Sequence, residues 1–147
     1  MGKYSYCIRS PYKAPPTNHT NRDYDETMPR LAFCEEGDYP VTPVRVVVRH
    51  IKSIPADYQP HTDLHYHDHD ELFVFISEEE GGLVGEVTLG DEVYEVKSPV
   101  TVLLPKEVPH KYAVKRGHGF VFILLQTGTR DIRSAEIAAP SPGPGNK

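Results

Sequence analysis

A chain of 147 residues with 38% apolar content suits one domain with a modest core. A net charge of −5 and a pI near 5.9 leave no general basic face for nucleic acid. No apolar run approaches the ~20 residues that a bilayer-spanning helix needs, and the opening Met-Gly-Lys-Tyr-Ser-Tyr-Cys lacks the apolar stretch of a secretion signal.

In chain order, residues 1–40 are polar and interrupted by prolines, and they show no helical period. They read as an irregular N-terminal arm that lies over a sheet, reaches a second subunit, or hangs as a loosely held tail. Within it the alternation of Tyr4, Tyr6 and Ile8 predicts a short strand, and Leu31-Ala32-Phe33 another. Cys7 and Cys34 lack Cys-x-x-Cys spacing. Two free thiols in a cytoplasmic chain are the simpler reading.

Pro43 to Ile51 predicts a strand with Val44, Val46 and Val48 on one face and Arg45, Val47 and Arg49 on the other. A loop punctuated by Pro55 and Pro60 leads into Leu64-His65-Tyr66-His67-Asp68-His69-Asp70-Glu71. In an extended strand His65 and His67 share a face, with Cα atoms about 7 Å apart, so two imidazoles can converge on one ion. A straight strand would carry Glu71 about 20 Å from His65. A turn at Asp68-His69-Asp70 corrects this and returns Glu71 on the next strand, because Asp bonds readily to nearby backbone.

Leu72 to Ile76 is almost wholly apolar and predicts a strand covered on both faces. Leu83 to Leu89 and Glu92 to Val96 form a hairpin about Gly90-Asp91. Val100 to Leu104 is a strand ended by Pro105. His110 opens the next strand-like run, and Phe120 to Gln126 is the last. About eight strands without a good helix predict an all-β sandwich or barrel over residues 41–127. Residues 128–147, ending Ser-Pro-Gly-Pro-Gly-Asn-Lys, predict a flexible, disordered tail.

His65, His67 and Glu71 match the H-x-H-x3-E motif of the cupin superfamily, and Pro105 and His110 match its second motif, P-x-G-x2-H. The chain therefore resembles a small single-domain metal-binding cupin over roughly residues 44 to 126. It departs at several turn and packing positions. Glu78 stands where the first motif is usually followed by glycine. In the second motif Pro99 and Glu107 replace glycines, and Val114 replaces the closing asparagine. The resemblance implies a jelly-roll barrel, a metal held by His65, His67, Glu71 and His110, a small-molecule substrate, and a homodimer.

Imidazole and carboxylate ligands suit Fe(II), Mn(II), Ni(II), Co(II) or Zn(II). Fe(II) is favoured, because four protein ligands leave two octahedral positions for substrate and dioxygen. The leading expectation is an Fe(II) dioxygenase. A non-redox isomerase, lyase or cyclase and a non-catalytic binding module are the rivals, since fold does not fix function. Strand parity places Phe73 and Phe75 with Glu71, and Tyr112 with His110. Tyr112 and His69 are the candidate catalytic groups, His69 at the rim. Phe73, Phe75, Arg49 and Tyr58 are candidates for the substrate pocket, with Arg49 and Arg45 suited to an acidic substrate if they face inward. Packing is the plainer role for each of these aromatic groups, and turn formation the plainer role for Asp68 and Asp70. His61 reads as a loop residue.

Overall fold

The computed structural model describes residues 2–13, 24, 26–34, 44–60 and 63–126. The expected tail, His61 and Pro43 lie outside the described residues. Among those described, a single 3-10 turn, Ser5–Cys7, precedes nine strands. The strands are β1 (Tyr12–Lys13), β2 (Arg30–Cys34), β3 (Val44–Ile51), β4 (Glu71–Ile76), β5 (Leu83–Leu89), β6 (Glu92–Lys97), β7 (Val100–Leu104), β8 (His110–Gly117) and β9 (Gly119–Gln126). No helix among them is long and apolar enough to cross a membrane.

Strands β1-β2-β3-β9-β4-β7 form one sheet and β6-β5-β8 a second. Every pairing is antiparallel. Valine and isoleucine dominate β3, and branched or aromatic side chains dominate β4 and β9, the residues that pack well on a pleated surface. The core lies between the sheets. Phe73, Phe75 and Val121 from the larger one meet Leu83, Val87, Tyr112 and Val114 from the smaller, with Met28 and Ile51 beside them. Gly85 is required here, because a Cβ at that position would come within 2.6 Å of the Phe75 ring. The all-β architecture expected from the sequence is borne out.

Three local expectations fail. Tyr4, Tyr6 and Ile8 do not form a strand. Their side chains are exposed, and local bonds such as Cys7 N–H to the Tyr4 carbonyl close a 3-10 turn instead. Alternation without a surface to cover does not make a strand. Leu72–Ile76 is covered on one face only: Phe73 and Phe75 are buried, Leu72 and Val74 half-buried and Ile76 exposed. The His65–His67 segment is not a strand either, since His65 makes only an isolated bridge to His110. Leu31–Phe33, by contrast, lies within β2, which pairs with β3 and so places part of the expected arm inside the main sheet.

Candidate metal centre

Glu71 opens β4 and His110 opens β8, so each sheet delivers one ligand candidate at the same end of the sandwich. His65 joins them through reciprocal backbone bonds with His110, at 2.7 and 3.2 Å. His67 is drawn in by the second turn, whose Glu107 N–H donates to the His67 carbonyl at 2.7 Å. The result is a cluster of His65, His67, Glu71 and His110 whose donor atoms all lie within 4.8 Å of one another. The four residues singled out in the sequence thus converge. The route differs from the expected hairpin, because β4 pairs with β7 and β9 and not with the His65 segment.

Two backbone carbonyls fix the imidazoles. His110 Nδ1 lies 2.9 Å from the Val108 carbonyl and His65 Nδ1 2.6 Å from the Asp63 carbonyl. A carbonyl can only accept, so both Nδ1 atoms carry a proton, and in the neutral ring the Nε2 atom is the one that presents a lone pair. His110 Nε2 then sits 2.9 Å from Glu71 Oε1, yet neither atom has a hydrogen-bond partner, and both are buried. That contact needs a proton or a metal ion between the two atoms, and the convergence of four ligand atoms on one point favours the metal. The cluster therefore fits a metal ion, with its outer carbonyls holding the rings in the ligating orientation.

His67 Nε2 is 3.8 Å from Glu71 Oε1. Burial holds the His67 pKa below its ordinary value, against the pull of Glu71, with His65, His110 and Arg45 adding to the lowering. Its neutral, ligating form is the favoured one.

His69 stands apart from the cluster, half-buried, with Nδ1 2.7 Å from Asp68 Oδ1. Phe73 and Phe75 lie on the inner face with Glu71, as parity predicts, and both rings pack on Tyr112 with centroids 5.0 and 6.1 Å away. Tyr112 is buried, accepts a hydrogen bond from Arg49, and has its pKa raised by burial against the pull of that arginine. Tyr58 packs against the core and its hydroxyl accepts the Val114 N–H at 3.2 Å. Burial raises its pKa as well. Arg49 faces inward and is buried.

Sequence reading missed the clamp between the two turns. Asp70 Oδ1 accepts the Lys106 N–H at 2.9 Å, tying the loop that carries His67 to the loop before His110. Nothing local marks it, because its partner is backbone 36 residues away. The carbonyls of Asp63 and Val108 have no side-chain signature either.

No protein-family model matches the sequence, and no curated protein matches it significantly. Solved structures do. A cupin-like protein from Thermotoga maritima MSB8 superposes with a TM-score of 0.53 at 14% identity, over 82% of this chain and 79% of that one. A cupin superfamily protein from Desulfitobacterium hafniense DCB-2 gives 0.52 at 10% identity, over 73% and 84%. A structure of the DMSP lyases RdDddP and RnDddQII gives 0.53 at 17%, over 76% of this chain and 53% of that one. At such identities the likeness is one of architecture, and at that level it bears out the resemblance: this chain has the cupin fold.

Proposed function

We propose that the chain is a metal-dependent enzyme acting on a small organic molecule, with Fe(II) as the metal and dioxygen as co-substrate. The observation that carries this is the buried pair of Glu71 Oε1 and His110 Nε2, 2.9 Å apart without a hydrogen bond, joined by His65 and His67 with all four ligand atoms within 4.8 Å of one another. A bound Fe(II) would supply open coordination positions where substrate and dioxygen meet. Around it, Phe73 and Phe75 exclude water and shape the apolar wall. Tyr112 stays protonated and orients a polar substrate group. His69, with its ring nitrogen on Asp68, passes a proton at the rim.

A lyase is the second reading, and the likeness to the DMSP lyases supports it. The test is dioxygen uptake by protein loaded anaerobically with Fe(II). Uptake coupled to product formation is expected. Turnover at the same rate without dioxygen, or with Zn(II) in place of iron, would reject the oxygenase and select the non-redox reading.

A further inference from the structure

The inner face of the main sheet carries three arginines. Arg45 is the ladder partner of Leu125, which in turn faces Glu71 across the next strand. Arg49 is the partner of Val121, which faces Phe75. Arg30 is the direct partner of Arg49. All three therefore share the face that bears Glu71, Phe73 and Phe75. Like charges directly opposite in a ladder repel, and an acidic chain has no general need for such a row.

Arg49 is the informative member. It is only 5% exposed. One Nη donates to the Met28 carbonyl at 2.8 Å, and the guanidinium also donates to the Tyr112 hydroxyl. Its Nε–H has no partner, and no carboxylate among the described residues forms an ion pair with it. A buried, uncompensated guanidinium is costly to keep. Glu71, the one buried carboxylate among the described residues, lies 2.9 Å from His110 Nε2 and forms no ion pair with Arg49. The group that complements such a guanidinium is an anion whose planar geometry suits the arginine fork, and a carboxylate is that group.

We propose that the substrate is a carboxylic acid, its carboxylate held inside the sandwich by Arg49 with the Tyr112 hydroxyl beside it and Arg30 and Arg45 adding positive field, while its other end reaches the His65–His67–Glu71–His110 cluster. Placing that far end rests on the metal-centre reading. The anion site does not.

The test uses full-length protein stripped with EDTA and then freed of chelator, so that no carboxylate can bind through a metal. Malonate, succinate and benzoate are titrated by calorimetry and thermal melting against malonamide, succinamide and benzamide, with sodium chloride matching ionic strength. At least one acid should bind saturably, about tenfold or more tighter than its amide, as loss of a charge-assisted bond implies. Arg49→Met should remove that preference, Arg49→Lys should keep part of it, and Tyr112→Phe should weaken it. Wild-type protein that treats every acid like its amide overturns the proposal and leaves Arg49 a structural staple. So does an Arg49→Met protein with wild-type acid affinity. If Arg49→Met does not fold, the wild-type panel and the double variant Arg49→Lys with Tyr112→Phe decide: an acid preference unaltered in that double variant overturns the proposal. Acid binding by metal-free protein that takes up no metal on reloading would sink the metal reading and uphold this one.

Discussion

His110 is held from two sides. Its Nδ1 proton is taken by the Val108 carbonyl, and its backbone is locked to His65. Neither constraint needs a metal, so the ligating ring is pre-oriented and little entropy is lost on binding. His65→Ala and His110→Ala should each cut metal content, measured by inductively coupled plasma mass spectrometry, to a small fraction of wild type while circular dichroism remains that of the β fold. His69→Ala should keep its metal, because that ring is turned to Asp68. Wild-type metal in His110→Ala would contradict the four-residue centre.

Among the elements, the turn between β7 and β8 is where this chain departs most from its motif. The Val108 N–H closes it onto the Pro105 carbonyl at 3.2 Å, and Glu107 within it has φ of +66°. That is left-handed backbone, which glycine adopts freely and an L-side chain does at a cost of roughly 1–2 kcal/mol. The motif's glycine falls at this position, so the backbone shape persists although the residue has changed. Glu107→Gly should relieve the strain and raise stability by about 0.5–1 kcal/mol in urea unfolding, less than the full strain because glycine also loosens the unfolded chain. A lower denaturation midpoint would show that the glutamate side chain supplies a compensating contact. The Glu107 N–H bond to His67 is backbone and should survive the change.

At the scale of the whole molecule the two outer faces differ. Over the smaller sheet, charges are paired, with Lys115 and Glu86 at 3.6 Å and Lys97 and Arg116 each 3.9 Å from Glu95. Over the larger one lie Leu72, Val74, Ile76, Leu103, Phe120 and Phe122, half-buried or exposed. We propose, following the cupin resemblance, that the chain is a homodimer and that this apolar face is its contact. Sedimentation equilibrium should give twice the 16.5 kDa of one chain, and Leu103→Glu with Phe120→Glu should return it to one. A wild-type monomer at micromolar concentration would reject the dimer.

Sequence by itself determined the strands of the barrel and the identity of the four converging side chains. Period-two alternation and proline or glycine punctuation are local properties of the chain, and a motif with fixed spacing carries its ligand types on its face. It misjudged Tyr4–Ile8 and the outer side of Leu72–Ile76, because burial is decided by what packs against a segment and not by the segment. Tertiary structure alone decided how His65 reaches His110, which carbonyls orient the imidazoles, and that Arg49 is buried without a counter-charge among the described residues. Each of these depends on atoms far apart in the chain, whose meeting follows from closure of the two sheets and leaves no periodic trace in the residues themselves.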